Sequence, residues 1–101
     1  MTTLLVLYPT PTDLATFQRR YEAEHAPMVA EHFPGVTFRA LRVVGSPGGQ
    51  APYTLVAELG FESTESMQSL LATPGGQATA AHAGEISTGG APVFLVCESA
   101  S

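Results

Sequence analysis

His25 is the residue of this chain best placed for acid–base chemistry, and Tyr21 stands one helical turn before it in "YEAEHAPMVAEHFPGV", residues 21–36. Leu14, Phe17, Tyr21, His25 and Met28 follow one another at intervals of 3, 4, 4 and 3, which is one face of an α-helix. At about 100° per residue, His25 falls within about 20° of Leu14 and about 40° of Tyr21. Its ring therefore joins an apolar stripe, bordered by Gln18 and Glu22, which could hydrogen-bond it. Burial favours the neutral imidazole. A helix end just before Pro27 would free carbonyls and favour the cation. A histidine pulled both ways titrates near neutrality and suits a general acid or base. A core histidine with both ring nitrogens satisfied fits the same spacing, so spacing leaves both readings open.

Tyr8 closes the first strand pattern, where its hydroxyl could reach the same cleft, and Tyr21 shares the face of His25. Either could equally be core or rim. His82 ends a second helical region in "ATAAHAG", and His32 precedes a turn and reads as solvated. Arg42 and Glu58 interrupt apolar strands and could pair across them. Histidine spacings of the HxH or HExxH kind are absent, so a metal site is not expected. The chain also lacks a GxGxxG, a Walker-type loop and a CxxC, so no cofactor is expected. Cys97 is the single cysteine, which rules out an internal disulfide and reads as a small buried hydrophobe.

Four arginines, no lysine and a net charge of -5 argue against nucleic acid and against a basic membrane-surface helix. "LLVLY" is too short to span a bilayer and follows no basic segment. A cytoplasmic protein with no membrane partner is expected.

The elements that must position these residues follow from the pattern. Residues 2–9, 36–44, 53–61 and 93–98 read as strands. Thr10 can cap the first helix, with Pro11 at its first position and Asp13 at the capping-box position. Pro27 should push Ala26 out of helical geometry and break the helix, which resumes to His32 before a Phe33–Gly35 turn. Ser63 caps the next helix, with Met67, Leu70 and Leu71 inward, and Thr73-Pro74 restarts a short piece over 77–83. The order β-α-β-β-α-β predicts an α+β, ferredoxin-like antiparallel sheet with both helices on one face, in a single domain over 1–101. A monomer would leave the other face wet, yet Leu4 and Val6 oppose Leu5 and Leu7, and Val93, Leu95 and Cys97 oppose Phe94 and Val96. Strands apolar on both faces call for a second copy, so a homodimer is expected.

"LYP", the Phe17–Met28 pattern F-x3-Y-x3-H-x-P-M, and "FPGV" resemble the EthD family of dimeric α/β-barrel proteins. The likeness continues through "APYTLVAELGFES" and "LLATPGGQATAAH". The resemblance implies two ferredoxin-like subunits joined sheet to sheet, each with a pocket between sheet and helices, and it makes His25 the candidate active-site histidine. Such proteins commonly carry an aspartate followed by Asn-Phe after the second helix. Here the run is His82-Ala83-Gly84-Glu85-Ile86, so that carboxylate is absent or replaced by His82. The family takes its name from ether-degradation gene clusters and is often labelled reductase or oxidoreductase. Related barrels are cofactor-free monooxygenases, cyclases, dehydratases and isomerases. The expectation is a cofactor-independent enzyme on an oxygenated apolar, aromatic or polyketide-like molecule. His25 would move the proton, Tyr8 or Tyr21 would hold the substrate oxygen, and Phe17, Met28, His82 and Leu55 would line the pocket. The alternatives are a non-catalytic ligand-binding or accessory dimer of a degradation system, and an oxidoreductase with an unrecognised cofactor.

Overall fold

The computed structural model describes residues 1–100. The chain runs β1 (Thr2–Pro9), α1 (Leu14–Arg20), a π-helical turn (Tyr21–His25), α2 (Ala26–His32), β2 (Thr37–Arg42), β3 (Tyr53–Phe61), α3 (Thr64–Leu71), α4 (Pro74–Ile86) and β4 (Val93–Glu98). The sheet has the order β2-β3-β1-β4, antiparallel throughout. This is the ferredoxin-like α+β arrangement that the element order predicts.

The register sorts side chains cleanly. Leu4, Val6 and Tyr8 of β1 lie opposite Leu59, Ala57 and Leu55 of β3, and all six are buried beneath the helices with Phe17, Tyr21, Val29, Phe33 and Ile86. On the other face Leu5 and Leu7 are half-buried, and Leu41 and Leu95 are exposed. Phe94 and Val96 share the face of Val6 and Leu4 but stand exposed on edge strand β4. Both faces of β1 and β4 are therefore apolar.

Local chemistry moves several boundaries. Asp13, not Thr10, caps α1: its carboxylate accepts from the Thr16 backbone N–H at 3.1 Å. The helix starts three residues later than expected, which leaves Leu14 exposed. β2 is confined to Thr37–Arg42. Ser63 does cap α3, in a reciprocal box with Ser66. Thr73 then caps α4 through the Gly76 N–H, and α4 runs the full 13 residues to Ile86. His32 is half-buried, not fully solvated: a Cβ at Gly75 would overlap its ring, so the glycine lets α4 sit close against it. Arg42 does not pair with Glu58. The register sets Arg39 opposite Glu58, where they bond at 2.8 Å, and Arg42 reaches Glu22 instead at 3.2 Å. Among the described residues, no helix is long and apolar enough to cross a membrane.

Candidate functional site

The helix carrying His25 does not break at Pro27. It widens into the π turn, where the Ala26 N–H bonds to the Tyr21 carbonyl five residues back, and Ala26 keeps right-handed helical angles (φ -58, ψ -41). Proline has no N–H to offer, so one rung of the ladder is missing there in any case, and the extra residue is absorbed at that point. The slip resets the inner face. In a uniform α-helix a spacing of four drifts about 40° per step, but here Phe17, Tyr21, His25 and Val29 are all buried. Val29 thus takes the inward place expected of Met28, which is half-buried.

Tyr8, Tyr21 and His25 meet under this turn. The Tyr8 hydroxyl lies 3.3 Å from His25 Nε2. Tyr8 packs edge-on to Tyr21 with centroids 5.6 Å apart, and Tyr21 lies 5.3 Å from the His25 ring. The other His25 nitrogen, Nδ1, is 3.1 Å from Nδ1 of His82 on α4. His82 Nε2 is 3.0 Å from Glu24 Oε1. Glu24 is gripped in turn by Arg20, through Nε at 3.1 Å and NH2 at 2.9 Å. The ring partners are therefore Tyr8 and His82, not Gln18 or Glu22. The carboxylate that bonds the His82 ring is Glu24, beside His25 in sequence; Glu85, three residues after His82, stands farther off at 4.0 Å.

Burial dominates the electrostatics. His25, 5% exposed, is pushed down to about 4, first by loss of water and then by neighbouring His82. The near-neutral balance expected of a ring at a helix end does not arise: the helix runs on through the turn, and loss of water dominates. Both tyrosines are pushed well above their usual range by burial. Glu24 is drawn down to about 2, chiefly by its hydrogen bonds from Arg20 and then from His82. The Tyr21 hydroxyl is buried and, among the described residues, has no partner. Leaving such a group unmatched costs about 1–3 kcal/mol.

These groups face a cavity of about 30 Å³, room for a water or two. Leu4, Val6, Val29, Phe33, Ala57 and Leu59 stand in its wall, and Phe38 and Phe94 also line it. Those two aromatics are exposed, and a guest larger than a water would have to displace side chains of this wall. Of the expected pocket residues, Phe17 lies behind the tyrosines, with its ring 5.3 Å from Tyr8. Leu55 is core opposite Tyr8, Met28 is off the cavity, and His82 backs His25 instead of facing the void. Val29, Phe33, Thr79 and Glu24 were not expected at the site. Glu24 adjoins His25 in sequence, but only the approach of α4 reveals its use. Among the described residues, no three His, Cys, Asp or Glu side chains converge as a metal would need.

The EthD domain model matches residues 9–87. An "uncharacterized 11.0 kDa protein in thcB-thcC intergenic region" of Rhodococcus erythropolis is 33% identical over 95 residues, spanning 92% of this chain and 90% of the relative. The crystal structure of an ethyl tert-butyl ether D (EthD) family protein from Bacillus halodurans superposes with a TM-score of 0.90 at 30% identity, covering 98% of each chain. Two more distant structures share the fold. One is a dimeric ferredoxin-like protein of unknown function from Jannaschia sp. (TM-score 0.71, 16% identity, 98% and 100% covered). The other is SnoaB, a cofactor-independent oxygenase from Streptomyces nogalater (TM-score 0.68, 19% identity, 99% and 93% covered).

Proposed function

The chain belongs to the EthD family, and we propose that it is a cofactor-independent enzyme that moves a proton on a small, largely apolar, oxygenated molecule. The observation that carries this reading is the Tyr21 hydroxyl, buried in a cavity wall without a partner, beside the Tyr8–His25 pair. A buried hydroxyl that no protein group engages, on the wall of an apolar pocket, is a donor available to a substrate oxygen or to the water it displaces. Tyr8 already points at His25, so Tyr21 holds the carbonyl or phenol oxygen. His25 then takes the proton from the adjacent carbon or hydroxyl. The chemistry needs only these side chains, and SnoaB, described as a cofactor-independent oxygenase, shares the fold.

The protein acts in the cytoplasm as a homodimer that closes the uncovered sheet face. Leu41 and Leu95 stand exposed there, and the Jannaschia protein of the same fold is described as dimeric.

The test is α-proton exchange in D2O with a panel of aryl 1,3-diketones and phenolic ketones, read by proton NMR. Wild type should exchange at least one of them, and His25→Ala should slow exchange by about 10²–10⁴-fold with the fold intact. A second reading, a carrier that binds without reacting, is favoured by the low basicity of the buried ring, held at about 4. Saturable thermal stabilisation by the same panel without any exchange would establish the carrier and sink the enzyme.

A further inference from the structure

The contacts Tyr8–His25–His82–Glu24 form a continuous chain, and with both rings neutral its outer end fixes the direction of every bond in it. An ionised carboxylate only accepts, so His82 Nε2 carries the proton that reaches Glu24 over 3.0 Å. A neutral imidazole has one N–H, which leaves His82 Nδ1 a bare acceptor facing His25 Nδ1 at 3.1 Å. His25 therefore keeps its proton on Nδ1 and turns the Nε2 lone pair towards the Tyr8 hydroxyl. The two rings are set for such a bond. Their planes differ by 9° and their centroids lie 5.3 Å apart, which exceeds the nitrogen separation by about one ring width. They meet edge to edge in nearly one plane, not face to face.

We propose that His82 and Glu24 are positioning residues that let His25 act as a base by carrying its charge out of the cavity. As a proton arrives on His25 Nε2, the Nδ1 proton passes to His82 Nδ1. His25 stays neutral in its other tautomer, and the imidazolium forms on His82, against the Glu24 carboxylate. Returning the proton to the substrate reverses both transfers and restores both tautomers. A cation confined among apolar side chains is costly, whereas one beside a carboxylate at the protein surface is not. The proposal rests on the proton-transfer reading above and removes its main difficulty, the weak basicity of a buried ring. Of the other groups around the chain, Glu85 lies 4.0 Å from His82 Nε2 and adds a second negative charge, and Tyr21 and Tyr8 stay neutral on the cavity side. Arg20, which pairs with both carboxylates, offsets one of the two negative charges and leaves the other for His82.

Nitrogen chemical shifts of the histidine rings test the chain in the ligand-free protein, without turnover. His25 should be protonated on Nδ1 and His82 on Nε2, and His25 protonated on Nε2 overturns the relay. His82→Ala should slow α-proton exchange by about 100-fold with little change in KM, and added imidazole should restore most of it. Exchange at the wild-type rate in His82→Ala, or a loss that imidazole does not relieve in a normally folded variant, also overturns it. Wrong tautomers with exchange intact sink the relay alone. Correct tautomers with no exchange in wild type sink the functional reading and the base together.

Discussion

β1 presents two apolar faces that meet different fates. Leu4, Val6 and Tyr8 vanish under helices, whereas Leu5 and Leu7, one residue away, look out between exposed Leu41 and Leu95. The covered face also hides Tyr8, Tyr21 and His25 in a connected polar line. The open face carries its charge as the solvent-accessible pair Arg39–Glu58. Apolar alternation alone therefore does not mark a core. One face is closed by the chain's own helices, and the other is suited to a second copy. Only the first contains groups whose chemistry burial can alter.

Paired substitutions break this comparison most sharply. Leu4→Ala removes a buried side chain and should cost about 2–5 kcal/mol, measured by urea unfolding, at every protein concentration. Leu95→Asp should leave the subunit folded but halve the mass seen by light scattering, and the concentration dependence of its melting should disappear. If Leu95→Asp keeps the wild-type mass, or destabilises as much as Leu4→Ala at all concentrations, the faces are not distinct in the way described.

The four strands were legible in the sequence, and so were the two apolar faces of β1 and β4, because an unbroken apolar run of strand length must put side chains on both sides of a sheet. Strands β1, β3 and β4 lie where the pattern puts them. The π turn was not legible. Pro27 signals trouble in a helix, but whether the chain breaks or slips by one residue depends on the sheet beneath, and the slip decides that Val29 replaces Met28. His25 and Tyr21 could be placed on one face from spacing. Tyr8 could be directed at the same cleft, but its bond to His25 and that of His82 could not be read, because they lie 17 and 57 residues away and only packing joins them. Glu24 adjoins His25 in sequence with no signal of its own, and only α4, by bringing His82 against it, gives it a role.

The covered face should also be the acid-sensitive one. His25 titrates near 6.5 when unfolded and near 4 in the fold. Above pH 6.5 both states are neutral and its contribution is complete. As pH falls from 6.5 to 4 the unfolded chain takes up a proton that the fold refuses, and stability drops by about 3 kcal/mol in total. Urea unfolding across that range checks the slope, and His25→Gln should flatten it. A variant with the wild-type slope would place the sensitivity elsewhere. Glu24, held near 2, adds in the same direction only at lower pH, since its stabilisation is lost as pH falls from 4.5 through 2.

The smallest effect has the opposite sign and discriminates best between a site and a core. Tyr21 looks like an ordinary core aromatic, 4% exposed and packed on Tyr8 and Phe17. If its hydroxyl is merely tolerated, Tyr21→Phe removes an unmatched polar atom and keeps the ring, so the unliganded protein should gain about 1 kcal/mol. The same change on the open face, where water can satisfy a hydroxyl, would gain nothing. The gain in stability should come with a loss in binding, since the substrate oxygen loses its partner. The probe diketones should then stabilise Tyr21→Phe less than wild type in thermal melts. A variant that is more stable and binds the probes equally well would return Tyr21 to the core and move the oxygen-binding role to Tyr8.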